Sequence, residues 1–245
     1  MGTLIGHTKT TMIIPTKGTA CRASRITDIL PSGAWKGKTC FLIGGGPSLK
    51  DFDFNLIKNE LTIGINKSFT KFSTTINYAM DMRFYDMVTY AQNSTWKEAH
   101  QQWLAYKGIK LFMRNSGKFK FDSSVYVVNN IDKKVLSFDL AKGIWPGNNS
   151  GFGALQLAVA LGCSRIGLLG YDLKVQENQK KIKTHWHEGY GFEGVKSFQS
   201  KLNKFKMCFE EFSSVILQQN IEVVNLNPDS ALKCFPFDTI GNFLK

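Results

Sequence analysis

Two segments of small, turn-forming residues precede predicted helices. The first has the glycines that can hold a phosphate group, and in the second Asn149 or Ser150 can cap the helix that follows. Gly44-Gly-Gly-Pro-Ser48 follows a short apolar run, and Asn148-Asn-Ser-Gly151 precedes an apolar helical segment. Glycines let backbone amides approach an anion, and a helix N-terminus adds positive potential. The first segment lacks the third glycine of the dinucleotide fingerprint and the Gly-Lys-Ser/Thr of a Walker A loop. A tight strand–helix turn without a ligand is the alternative interpretation of Gly44–Ser48.

Polar residues follow three further apolar runs. Asn66 is placed to contact a ribose or base edge, or to form a turn. Asp81 could orient an acceptor hydroxyl or pair with Arg83. Gly170-Tyr-Asp172 follows another predicted strand. Because ligands bind at the carboxyl edge of parallel sheets, we expect these residues to converge with the glycine segments.

The segment His185-Trp-His187 contributes two imidazoles within a polar stretch. A histidine above a nucleotide site is a natural general base because its pKa lies near neutral pH, although a loop histidine is often only a surface residue. Two histidines without a third ligand do not predict a metal site. Asp51 and Asp53 resemble a metal-binding pair, but we interpret them as helix-capping residues.

The composition restricts the class of protein. The chain has 245 residues, 43% hydrophobic and 20% charged, with a formal net charge of +12, which is typical of a globular domain with an anionic partner or simply a soluble surface. No apolar run reaches the ~18–20 residues that span a bilayer, and no signal peptide is evident, so a cytoplasmic location is expected. Five scattered cysteines without a C-x-x-C pair favour free thiols over disulfides or a zinc knuckle.

The order of apolar and amphipathic segments predicts an α/β fold. Strands are expected at 39–43, 61–65, 75–80, 109–113, 125–128, 165–169 and 221–224. Helices are expected at 50–59, at 83–106 with a break at Asn93-Ser94, at 152–161 and at 195–219. This alternation predicts a Rossmann-like, doubly wound, mostly parallel sheet with helices on both faces. We expect a single domain over 36–245, an irregular N-terminal arm over 1–35, and a polar lid loop over about 173–194.

Three blocks carry a resemblance to a known superfamily. They are Phe41-Leu-Ile-Gly-Gly-Gly-Pro-Ser-Leu-Lys50, the segment from Asn149 to Asp172, and the segment from Val224 to Phe235. Together they resemble the superfamily of bacterial single-domain sialyltransferases and MptE-like 6-hydroxymethylpterin diphosphokinases. Phage and surface-polysaccharide proteins of unknown substrate look similar.

The resemblance implies roles for individual residues. His187 matches the catalytic histidine by its spacing before the next amphipathic helix, with His185 as the alternative, and no metal is required. Lys174 stands where the sialyltransferases have a tyrosine that assists the leaving phosphate, and Gly45 stands where they have a loop asparagine. The implied catalytic residues are Asp172, Lys174, His185 and His187. The implied or expected nucleotide contacts are Gly44, Gly45, Gly46, Pro47, Ser48, Asn66, Asp81, Asn149, Ser150, Gly151, Gly170 and Ser230.

These features predict a metal-independent glycosyltransferase with a CMP- or UDP-type nucleotide-sugar as donor and no tightly bound cofactor. The acceptor is expected to be anionic, such as modified DNA or an acidic glycan, in a bacterial or phage-infected cell. One alternative is a pterin-type pyrophosphokinase that uses ATP and Mg²⁺, with Asp81 and Asp172 as candidate metal ligands. A second alternative is a non-enzymatic module that binds nucleotide or nucleic acid. The sequence is compatible with an oligomer.

Overall fold

A computed structural model describes residues 23–90, 94–114, 121–178, 181–183, 185 and 195–245 of the chain. The strands are β1 (Ser24–Arg25), β2 (Thr39–Ile43), β3 (Leu61–Ile65), β4 (Ile76–Ala79), β5 (Ile109–Arg114), β6 (Tyr126–Asn129), β7 (Arg165–Leu169), β8 (Gln176–Asn178), β9 (Lys181–Lys183) and β10 (Glu222–Asn225). The α-helices are α1 (Met82–Tyr90), α2 (Lys97–Ala105), α3 (Ser150–Ala160), α4 (Val195–Gln218) and α5 (Ile240–Phe243). Short 3₁₀ helices span Ile26–Asp28, Pro47–Leu49, Phe54–Ile57, Asn66–Thr70 and Ser94–Trp96.

Eight of these strands form one sheet in which every pairing is parallel, so the predicted α/β, Rossmann-like fold is confirmed. Their order is β1-β6-β5-β4-β3-β2-β7-β10. From β2 the chain adds strands on one side as far as β6, and it then returns to place β7 and β10 on the other side. A crevice therefore opens between the carboxyl ends of β2 and β7, where open α/β sheets bind ligands. The finer expectation of a doubly wound sheet stays a prediction.

Alternate side chains of the central strand pack into different hydrophobic clusters, as the two-residue period of a strand requires. Cys40 and Leu42 pack in one cluster with residues of α3 and α4, and Phe41 and Ile43 pack in another with Leu49 and Phe243 of the shorter helices. Helix α3 is buried from Phe152 to Ala160 because it is apolar on all sides. These contacts fix the ends of β2 and α3, which border the crevice.

One predicted helix is absent from the structure, and the break predicted in another is confirmed. The expected helix over 50–59 was wrong, because Pro47 starts one 3₁₀ turn and the Asp53 side chain accepts a hydrogen bond from the Asn55 amide to start another. That contact agrees with the capping role expected for Asp53. The helical segment expected over 83–106 is divided close to the predicted Asn93-Ser94 break, into α1, a 3₁₀ turn that begins at Ser94, and α2.

The N-terminal and lid regions are described in part. Residues 23–35 were expected to form an irregular arm, but β1 pairs with β6, and Ile26 and Trp35 are buried in the main core. Residues 1–22 lie outside the described part. Within the expected lid, β8 and β9 form an antiparallel pair, and whether the segment closes over a ligand stays a prediction.

Two further sequence expectations concern membranes and cysteines. None of the described helices combines the length and apolar character needed to cross a membrane. Cys40 and Cys163 are buried free thiols, and Cys208 and Cys234 are half-buried free thiols.

Candidate functional site

A cavity of about 450 Å³ lies at the carboxyl ends of β2, β3, β4 and β7. That volume falls within the range of small-molecule sites, roughly 300–1,000 Å³. The glycine and polar residues that line the cavity are Gly44, Gly45, Gly46, Asn66, Asp81, Asn148, Asn149, Ser150, Gly151, Gly170, Asp172, Lys174 and His185. The rest is apolar and includes Ile65, Met80, Tyr171, Leu173, Phe198, Leu202, Phe205 and Phe209.

The cavity brings together most residues that the sequence analysis singled out. Every expected nucleotide contact lines it except Pro47, Ser48 and Ser230. Asp172, Lys174 and His185 line it as well. His187, the preferred candidate for the general base, lies outside the described residues.

The glycine loop, Gly44–Ser48, uses most of its amides to bind the neighbouring strand end. The Gly44 amide donates to the Leu169 carbonyl at 2.8 Å, and the Gly46 amide donates to the Gly170 carbonyl at 2.8 Å. These bonds extend the β2–β7 pairing beyond the strands. The Ser48 amide donates to the Asp172 carboxylate, and Pro47 has no amide hydrogen. Only the Gly45 amide remains without an acceptor among the described residues.

Close packing explains why this loop needs glycine. A Cβ atom at Gly44 would lie 2.5 Å from the Gly170 carbonyl oxygen, and one at Gly46 would lie 2.6 Å from the same oxygen and would overlap the Asp172 carboxylate. These separations are far below van der Waals contact. The loop therefore lies against β7 at a distance that a larger residue would prevent.

Asp172 holds the glycine loop from the other side. Its carboxylate is 2% exposed and accepts hydrogen bonds from the Ser48 amide at 2.9 Å, the Ser48 hydroxyl at 2.6 Å and the Asn227 side-chain amide at 2.8 Å. Three donors to one buried carboxylate satisfy it within the protein. The geometry thus gives Asp172 a positioning role between two loops.

Ser230 supports the same region from behind. Its hydroxyl donates to the Tyr171 carbonyl at 2.6 Å and accepts from the Leu232 amide at 2.9 Å, and the residue is 1% exposed. The Ala231 amide donates to the Asp172 carbonyl. Ser230 therefore contributes to the loop behind the cavity wall.

The N-terminus of α3 differs from the glycine loop because it leaves amides open. The Asn149 side chain caps the helix by accepting from the Phe152 amide at 2.6 Å, as expected. The amides of Ser150 and Gly151 have no acceptor among the described residues, and both residues line the cavity. The positive end of an eleven-residue helix is thus directed at the cavity.

Asn66 and Asp81 border the cavity at the ends of β3 and β4. The Asn66 backbone has φ of 52°, its carbonyl accepts from the Asn77 side chain at 2.9 Å, and its own Oδ1 is buried without a donor among the described residues. A buried acceptor without a partner is costly, so this oxygen is suited to a donor from a ligand. The Asp81 carboxylate accepts from the Arg83 amide at 2.8 Å and so caps α1.

His185 lies between the glycine loop and α4. A Cβ atom at Gly45 would come within 2.7 Å of its Cδ2 atom, and its ring centroid is 5.9 Å from that of Phe198. Burial lowers the pKa of His185 to about 4, so the imidazole is neutral at neutral pH. Lys174, half-buried at the cavity, supplies a positive charge.

Sequence analysis missed two contributors to the site. The residues Phe198, Leu202, Phe205 and Phe209 recur at helical spacing within the expected helix over 195–219, and they also line the cavity. Incomplete burial of Phe198 and Phe205 is the structural sign of this second role. Asn227 was not considered because its partner Asp172 lies 55 residues away in the chain.

The described residues contain no group of three His, Cys, Asp or Glu side chains arranged to hold a metal ion. No protein-family model matches the chain, and no curated protein matches it.

Proposed function

We propose that this chain is a nucleotide-dependent transferase that binds a nucleotide-activated sugar in the cavity between β2 and β7. The observation that carries the proposal is the meeting of three unsatisfied or charged groups in one cavity. They are the open amides of α3, the buried Asn66 oxygen and the Lys174 ammonium. Phosphate, hydroxyl and base groups of a nucleotide offer the complementary atoms.

The phosphate is best placed at the α3 N-terminus. The Ser150 and Gly151 amides are donors, the helix end is positive, and Lys174 adds a full charge on the same cavity. The glycine loop contributes only one open amide. In this proposal its main task is therefore to shape the cavity.

The apolar residues that line the cavity suit the base and the sugar of the ligand. Phe198 and Phe205 are half-buried aromatic side chains that can pack against a base or the carbon face of a sugar. A lining that combines apolar side chains with a few polar groups is typical of cavities that orient a small molecule.

A transfer step in this cavity requires a proton acceptor and a stabilised leaving group. An acceptor hydroxyl would attack the anomeric carbon while its proton passes to a histidine and the nucleotide phosphate leaves. His187, which lies outside the described residues, stays the predicted acceptor. Burial lowers the pKa of His185 to about 4, so His185 is the weaker base at neutral pH. Lys174 and the α3 amides would stabilise the charge that grows on the leaving phosphate.

The pyrophosphokinase alternative has less support. It needs carboxylate oxygens to hold Mg²⁺. The Asp172 carboxylate already accepts three protein hydrogen bonds, and Asp81 caps α1. Asp172 would have to give up some of these contacts to coordinate a metal. Asp81 could keep its capping contact through Oδ1 and offer Oδ2, so it would be the one carboxylate of the pair that is available without rearrangement.

Isothermal titration with CMP, UDP, ADP and ATP, each with Mg²⁺ or with EDTA, tests the proposal. We expect metal-independent binding of CMP or UDP, weakened about tenfold by Lys174→Ala and unaffected by the exposed control Lys142→Ala. Release of nucleotide from the matching nucleotide-sugar, supplied with a hydroxyl acceptor, would then establish transfer. Binding of ATP only with Mg²⁺ would favour the pyrophosphokinase, and no binding at all would contradict both enzymes.

A further inference from the structure

Gly45 and His185 both line the cavity and pack closely against each other. A Cβ atom at position 45 would lie 2.7 Å from Cδ2 and 3.5 Å from Nε2 of the imidazole. The Gly45 backbone does not adopt the positive φ that favours glycine. The residue is therefore fixed as glycine by the side chain packed on it, and a different residue here would displace His185.

The imidazole is held on two sides by residues distant in sequence. Gly45 packs against the imidazole, and the centroid of the Phe198 ring of α4 lies 5.9 Å from the imidazole centroid. His185 lines the same cavity as Asp81, Asp172 and Lys174. Of these, the two carboxylates accept hydrogen bonds from the protein, whereas Lys174 supplies the charge expected to meet an anion.

The groups around the cavity divide by charge. Cationic character is concentrated at Lys174 and the α3 amides, which suits phosphate. His185 rests on an aromatic ring and on an uncharged loop, which suits an uncharged hydrogen-bonding part of the ligand.

From this division we infer that Gly45 and His185 form a matched pair that recognises the nucleoside part of a nucleoside phosphate. Gly45 supplies the space, and the His185 imidazole supplies one hydrogen bond in addition to the contacts that it makes within the protein. This inference rests on the proposed function, and it makes His185 a specificity-determining residue for the base or ribose. In this proposal His185 contacts the nucleoside directly, and Gly45 influences the choice of nucleoside by determining where His185 lies.

A thermal double-mutant cycle tests whether the pair exists, independently of any ligand. Gly45→Ala is expected to lower the Tm by about 5 °C in the wild-type background and by about 1 °C when His185→Ala is already present. Gly241→Ala, where a Cβ atom meets nothing within 4 Å, is the matched control. Equal losses of Tm in both backgrounds would overturn the pair.

Titration with CMP, UMP, AMP and GMP, and separately with inorganic pyrophosphate, tests the ligand assignment. His185→Ala should weaken the preferred nucleotide about tenfold and leave pyrophosphate binding unchanged, and His185→Gln should restore part of the loss. Equal weakening of nucleotide and pyrophosphate would overturn the nucleoside assignment. If no nucleotide binds the wild type, the assignment fails together with the proposed function, and the thermal cycle still decides whether the pair exists.

Discussion

The glycine loop and the N-terminus of α3 lie at the same edge of the sheet and carry similar residues, yet they use their backbones differently. The Gly44 and Gly46 amides donate to carbonyls of the β7 end, and the Ser48 amide donates to Asp172. The Ser150 and Gly151 amides have no such acceptor in the described part of the chain. One segment is closed onto the protein, and the other is open towards the cavity.

This difference shows that glycine content alone does not identify an anion site. Small residues permit the close approach of any group, whether a phosphate or a neighbouring strand. The two segments differ in whether their backbone amides already have an acceptor in the protein. An amide that already donates to the protein cannot also donate to a ligand at full strength. The two segments can thus be tested as a structural element and a binding element.

The largest effect is expected from Gly46→Ala. The added Cβ would overlap the Asp172 carboxylate and lie 2.6 Å from the Gly170 oxygen, and neither neighbour can move without breaking its own hydrogen bonds. We expect the free energy of unfolding to fall by about 3 kcal/mol, measured by urea denaturation. The exposed control Gly241→Ala should change it by less than about 0.5 kcal/mol. A stable Gly46→Ala protein with lost nucleotide binding would reverse the assignment of the loop.

Asp172→Asn should have the next largest effect. The substitution keeps the shape but places an amide donor against the donors of Ser48 and Asn227. A loss of about 2 kcal/mol in unfolding free energy is expected, because hydrogen bonds to a buried charge are replaced by a conflict. Asp229→Asn, at an exposed position on the neighbouring loop, provides the matched control. If Asp172 instead acted mainly on substrate, activity would fall and stability would be preserved.

Local sequence features predicted the strands well and the contacts between distant segments poorly. The bounds of β2, β3 and β7 agree with the predicted ranges because each is a continuous apolar run ended by glycine or a polar residue. The helix expected over 50–59 failed because Pro47 and Asp53 each begin a short turn, which hydrophobic spacing does not reveal.

The site was predicted at the level of the sheet edge, since parallel strands bring their ends together. The hydrogen bonds within the site were not predicted, because Asp172 is separated in the chain by 124 residues from Ser48 and by 55 residues from Asn227. Likewise, nothing near Gly45 in the sequence indicates that His185 will fill the space above it. Such contacts depend on the tertiary fold, for which a single sequence holds no local signal.

Two serines give a matched test of the two segments. Ser48→Ala removes a 2.6 Å hydrogen bond to Asp172, so we expect it to lower the unfolding free energy by about 1.5 kcal/mol. Ser150→Ala keeps the open amides of α3 but removes a hydroxyl at the cavity. It should leave stability within about 0.5 kcal/mol and weaken nucleotide binding several-fold. Denaturation and titration of both variants decide the matter, and the opposite pattern would exchange the two roles.

The smallest effect concerns His185, which packs against Gly45 of the glycine loop. The pKa of His185 is lowered to about 4 by burial, whereas an unfolded histidine has a pKa near 6.5. Below pH 6.5 the unfolded chain therefore binds a proton that the folded chain does not, and stability falls until the pH approaches 4. At pH 5 we expect the wild type to lose about 1 kcal/mol more than His185→Gln, relative to pH 7.5, after allowance for partial exposure. The carboxylates that titrate in this range are common to both proteins, so the difference isolates the imidazole. Parallel stability curves would mean that the His185 imidazole is solvated and not buried against the glycine loop.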